Sequence, residues 1–121
     1  MLLNLFPDHR PHLMTMSGST NFEMRNFRMK NSPMFHIFFS NCANFIFDNL
    51  DIRVNTEMQK ELHMKYGNLL PNGIPLFPLN TDGIDPNGKN ITITNTYIEN
   101  FDDAVAVKPG HSSDLISGGC A

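Results

Sequence analysis

Cysteine is nearly missing from this 121-residue chain. Cys42 and Cys120 are too few for a disulfide framework and lack metal-ligand spacing, so they read as two small hydrophobes. Positive charge is scarce as well. No Lys/Arg cluster exceeds two or three residues and the net charge is −3, which speaks against a nucleic-acid partner. No apolar run approaches the ~20 residues that cross a bilayer, so no membrane partner is expected. The opening stretch MLLNLFPDHRPHLMTM has neither a basic leader nor a small-residue cleavage site, and it does not read as a signal peptide.

What is present is apolar and patterned. Hydrophobic residues make up 40% of the chain, enough for one small packed domain rather than a disordered segment. Three segments align on asparagine: NFEMRNFRM from Asn21, NFIFDNLDI from Asn44 and NITITNTYI from Asn90. Each has a second Asn five residues after the first and closes on Met29, Ile52 or Ile98. Apolar residues fall at the first and third positions after the leading Asn, with a phase slip expected at Glu23 and Met24 in the earliest copy. Such alternation marks strands. The Asn residues mark corners, because Asn tolerates the left-handed backbone that a sharp bend needs.

Asn21 and Asn44 are 23 residues apart, a solenoid period. The Leu/Asn consensus and helical half of leucine-rich repeats are lacking. Short strands joined at Asn corners predict an all-β parallel β-helix, with equivalent Asn side chains stacked on neighbouring coils ~4.8 Å apart. Asn44 and Asn90 are 46 residues apart. Residues 54–78 lack the Asn pair, and TEMQKELHMKYG within them looks weakly helical. This predicts one coil carrying an insertion rather than two coils. Further strands are expected at 35–40, 82–85 and 103–108, the last two side by side in one sheet.

That stacking gathers Asp82, Asp85, Asp102 and Asp103 on two successive coils. Clustered carboxylates are costly unless they bind a cation or do acid–base chemistry with one proton retained. Asp85 is expected to cap the turn at Pro86, Asn87 and Gly88. In a regular strand Asp102 and Asp103 would face opposite ways, so irregular backbone is predicted at 101–103. His36 reads as a packed or edge histidine.

Asn80-Thr81-Asp82-Gly83, followed about twenty residues later by Asp102-Asp103 in FDDAVAVK, resembles the first two active-site motifs of the polygalacturonases, glycoside hydrolase family 28. The upstream KNSPMFHIFFSNCANFIFDNLDI resembles the family's Asn-Ser-Pro-aromatic coil. The resemblance runs from about Arg10 to the C-terminus. It implies a right-handed parallel β-helix with an open cleft and inverting hydrolysis of α-1,4-galacturonosyl linkages in pectin. It implies Asp102 as general acid and Asp82 and Asp103 as the pair that holds and activates water. Asn80 is expected to bind substrate, and Lys108, in VKPG, either to meet a uronate carboxylate or to stand as a solvated lysine at the strand's end. No cofactor and no metal are expected. The expected partner is the polysaccharide, the full-length protein is expected to be a monomer, and the resemblance places it outside the cell.

Residues 1–121 are expected to be a partial domain, with 1–15 irregular and 54–78 inserted between coils. The family's later Gly-His-Gly and Arg-Ile-Lys motifs are not found here. His111 follows Asp103 too closely to take the family histidine's place, and Gly118-Gly119 is no match. The isolated chain is therefore expected to be marginally stable and nearly inactive. Two rivals stand: a calcium-dependent pectate lyase and a non-catalytic carbohydrate-binding β-helix.

Overall fold

Among the described residues nine non-glycine positions adopt positive φ, and all nine are asparagines: Asn21, Asn26, Asn31, Asn41, Asn44, Asn49, Asn80, Asn90 and Asn95. Their φ angles lie between 49° and 60°, the left-handed well that β-branched and bulky residues avoid. Apart from Gly18, at 62°, the left-handed positions among the described residues are thus written in one residue type. A computed structural model describes residues 10–66 and 79–109 and shows what those corners join.

The elements run β1 (Met14–Ser17), β2 (Thr20–Arg25), β3 (Arg28–Lys30), β4 (Ile37–Ser40), β5 (Cys42–Asp48), β6 (Asp51–Arg53), α1 (Thr56–Tyr66), β7 (Ile84–Asp85), β8 (Gly88–Thr94) and β9 (Tyr97–Glu99). They form three parallel sheets, β1-β4-β7, β2-β5-β8 and β3-β6-β9. Each coil therefore contributes one strand to each wall, which is an incomplete parallel β-helix. The first strand opens at Met14, two residues inside the segment expected to be irregular.

Register explains the repeat. Phe22 lies beside Phe45, which lies beside Ile91, and Met24, Phe47 and Ile93 form the next column inward. The phase slip expected at Glu23 and Met24 does not occur. Phe22 and Met24 sit at the same first and third positions as their counterparts, because the Asn corner resets the alternation in every coil. β5 pairs directly with β8 across 46 residues, so the second interval is one coil with an insertion. That insertion includes α1, whose first turn is capped by the Asn55 side chain accepting the Met58 N–H at 2.9 Å. The rest of the expected 54–78 insertion, from 67 on, lies outside the described residues.

Asparagine side chains link the coils. Asn44 donates to Asn21 at 3.2 Å and Asn90 to Asn44 at 2.8 Å. At the second corner Asn49 donates to Asn26 at 2.7 Å, but Asn95 turns to Asp48 instead. Inside, Ile37, Phe39, Phe45, Phe47, Ile52 and Ile84 are fully buried. Phe45 packs its ring against Phe22 at 5.2 Å and Phe39 at 5.1 Å between centroids.

Residues 103–108 lie beside β7 as expected, although Ile84 and Val105 form only an isolated bridge there. The main chain still pairs: Gly83 N–H donates to Asp103 O, Ile84 N–H to Ala104 O, and Lys108 N–H to Pro86 O. No described helix is long and apolar enough to cross a membrane.

Candidate active site

The loop entering β7 must place Asp82 on the outer face although Ile84, two residues on, points into the core. Strict alternation forbids that. The chain bends at Gly83 and solves the conflict. A Cβ on Gly83 would stand 2.8 Å from the Ile98 side chain and 2.5 Å from Ala104 O, so position 83 faces inward and has room for glycine alone. Two inward positions in a row, Gly83 and Ile84, leave Asp82 and Asp85 free to lie on the same side.

Asp82 is held from behind by His36, 46 residues earlier. The His36 backbone N–H donates to Asp82 O at 2.8 Å, and the ring Nδ1 lies 3.0 Å from the same oxygen. Ser32 N–H reaches the other ring nitrogen at 3.3 Å. These contacts suit a neutral ring with the proton on Nδ1, and burial pushes the His36 pKa down. The sequence marks His36 as packed, and it is. Its hold on Asp82 had no signal in the sequence.

The next coil brings Asp102 and Asp103 through the expected irregular stretch, which bends at Phe101 and Asp102. Asn100 clamps that bend, donating to Thr81 O at 3.0 Å and Asp103 O at 2.8 Å. Thr81 Oγ1 accepts the Phe101 N–H. Asp102 accepts two backbone N–H groups at 3.0 Å, from Asn80 and from Asp103. One oxygen from each of Asp82, Asp102 and Asp103 lies within 4.8 Å of the others. Asp82 is buried at 4% exposure, whereas Asp102 and Asp103 are exposed.

Asp85 departs from its expected place. It does not cap the following turn. Its carboxylate is fully buried and faces Lys108, whose Nζ stands 2.9 Å from Oδ2. The reason is register: pairing of 103–108 with β7 carries the lysine stem over Asp85. The same ammonium lies 3.9 Å from Asp82 Oδ2 and 5.1 Å from the centroid of the Phe35 ring. Lys108 is thus paired inside the protein. Asn80 contributes its left-handed backbone and its N–H to Asp102. His111 and Cys120 lie outside the described residues, and Cys42 is a free, buried thiol.

The carboxyl pushed out of the usual range is Asp82, raised to about 6 chiefly by burial and then by Asp85 and Asp102, with Lys108 opposing. Asp85 is also raised by burial, against the pull of Lys108. An ionised Asp82 therefore costs stability. The folded state takes up its proton first as pH falls, so the contribution is full below the ordinary value of 3.8 and is lost as pH rises through about 6. Asp82→Asn is expected to raise the melting temperature at pH ~7, by roughly 4–8 °C per kcal/mol relieved, and to leave it unchanged near pH ~3.5. Paired thermal melts at the two pH values check this.

The comparisons with known proteins cover the same stretch of chain. The family model for glycosyl hydrolases family 28 matches residues 6–120. An endo-polygalacturonase of Pectobacterium carotovorum subsp. carotovorum is 34% identical over 99 residues, covering 81% of this chain and 20% of that protein. A probable endo-xylogalacturonan hydrolase A of Aspergillus niger is 31% identical over 102 residues, covering 83% and 21%. A probable exopolygalacturonase X of Aspergillus niger is 30% identical over 108 residues, covering 88% and 21%. The chain thus spans about a fifth of the length of these curated relatives. No solved structure matches it. Since the matched region takes in every described coil and the whole acidic cluster, the chain belongs to glycosyl hydrolases family 28.

Proposed function

We propose that this chain carries the acidic centre of a pectin-degrading glycoside hydrolase that cleaves α-1,4-galacturonosyl linkages with inversion, outside the cell. One observation carries the reading: in a family 28 chain, three carboxylates from two successive coils bring oxygens within 4.8 Å. Asp82, with its raised pKa, is a stronger base than an ordinary carboxylate. With Asp103 it would hold and activate water. Asp102, exposed at the rim, would protonate the leaving oxygen. Asn80 stands beside Asp102, where a sugar would meet it. Lys108 would have to leave Asp85 to bind a uronate, so its first task lies with the acids.

Inversion uses carboxyl groups ~6.5–9.5 Å apart. The 4.8 Å bound refers to the nearest oxygens, which always lie closer than the groups themselves. The product's configuration decides. Polygalacturonate digested by the full-length protein in the presence of a chelator is expected to yield new reducing ends without ultraviolet absorption from unsaturated sugars. Proton NMR of the nascent ends is expected to show the β-anomer. Unsaturated products that require calcium would make it a lyase. A nascent α-anomer would mean retention, and binding without cleavage would make it a carbohydrate-binding module. The half-buried ammonium of Lys108 favours the hydrolase, because it already supplies positive charge beside Asp82.

A further inference from the structure

Four acids crowd the outer face of the β7 wall, and one cation reaches between two of them. Lys108 Nζ lies 2.9 Å from Asp85 Oδ2 and 3.9 Å from Asp82 Oδ2. We propose that Lys108, seated on Asp85, is the positioning residue that keeps Asp82 ionised within the acidic cluster. This rests on the reading of Asp82 as the base that activates water.

The geometry gives each member a distinct task. Asp85 is fully buried and its position is set by β7, which pairs with β4 on one side and with residues 103–108 on the other. It is therefore a fixed anchor. The lysine stem crosses the Phe35 ring and its backbone is tied in place, with Lys108 N–H on Pro86 O and Lys108 O accepting from the Asn87 side chain at 3.1 Å. A cation pinned in this way lies nearer to Asp85 than to Asp82. It draws on Asp82 as a secondary partner.

The charged and titratable groups around Asp82 are few. Asp85 lies on its own strand, Asp102 and Asp103 on the following coil, and Lys108 at the end of that coil. His36, behind it, has its pKa pushed down, and the N-terminal side contributes His12, which acts on Asp85. Among these, Asp85 and Asp102 favour a protonated Asp82, and Lys108 favours the ionised form. Without the ammonium, two neighbouring negative charges and burial would all act in one direction. Asp82 would then hold its proton to a pH still higher than about 6 and accept one from water only above that.

Opposite signs make the proposal testable. Removing Lys108 takes away the attraction. Removing the charge of Asp85 takes away a repulsion and releases the ammonium toward Asp82. The 121-residue chain, labelled with ¹³C at the aspartate carboxyls, would be titrated by NMR and the Asp82 midpoint followed. Lys108→Met is expected to raise that midpoint by about one pH unit or more, a roughly tenfold gain in proton affinity. Asp85→Asn is expected to lower it, and Lys108→Arg to leave it close to the parent value. Midpoints that move the same way in Lys108→Met and Asp85→Asn, or that do not move, overturn the proposal. Should Lys108→Met fail to fold, the downward shift in Asp85→Asn still decides the sign. The titration needs no turnover. A flat titration with intact hydrolysis by the full-length protein would sink the role of Lys108 alone, and the expected shifts with a full-length protein that does not hydrolyse would sink the enzymatic reading alone.

Discussion

Replacing Asp102, the proposed general acid, with asparagine in the full-length protein is expected to slow cleavage of polygalacturonate by about 10²–10⁴-fold, the usual worth of such a group. The fold should survive. Asp102 is exposed, so the amide oxygen can keep one of the two N–H groups, Asp103 on Oδ1 or Asn80 on Oδ2, while the other turns to water. The assignment of roles can be separated from the loss itself. A galacturonosyl fluoride leaves without needing a proton. Asp102→Asn should therefore regain much of its rate on the fluoride, while Asp82→Asn, which lacks the proposed base, should not. The reverse pattern would make Asp82 the acid, a role its raised pKa would also suit. Equal loss on both substrates would leave Asp102 as no more than a support for the bend. Reducing-end and fluoride-release assays on the same preparations read all three cases.

Phe45→Ala is expected to cost about 3–5 kcal/mol, the usual range for a buried phenylalanine. Phe45 is fully buried on the middle coil, with Phe22 below it, Ile91 above it and the Phe39 ring across the interior. Its loss opens a cavity that reaches all three coils, and ring contacts add their own share. Against a total of ~5–15 kcal/mol for an ordinary domain, that is a large fraction. In a solenoid a weakened coil also releases its neighbours, so the transition should broaden as well as shift. Phe27 is the control. It is 52% exposed, and Phe27→Ala should change stability by no more than about 0.5 kcal/mol. Urea denaturation followed by circular dichroism would measure both. Comparable losses at the two positions would mean that the interior column does not hold the coils together.

The Asn-anchored repeat made the fold legible because it rests on local preference. Asn21, Asn44 and Asn90 each follow the same rule, left-handed backbone at a corner and then two inward residues. Counting those corners gives the coils, and the missing corner in 54–78 reveals the insertion. The irregular stretch at 101–103 was legible too, since two adjacent acids cannot share one face of a regular strand. The supposed phase slip at Glu23 and Met24 was a misreading of that same rule.

Other features were silent. Asp85 was expected at a turn, and His36 carried no hint of its hold on Asp82. Nothing in the motif said which acid would be raised. The sequence alone determined the coils, their corners and the gathering of three acids on neighbouring rungs, because backbone angles and side-chain alternation depend on a few adjacent residues. Tertiary structure decided the rest: Lys108 over Asp85, His36 behind Asp82 and the raised proton affinity of Asp82. Charge and burial act through space, and they depend on distances that exist only once coils tens of residues apart have stacked in register.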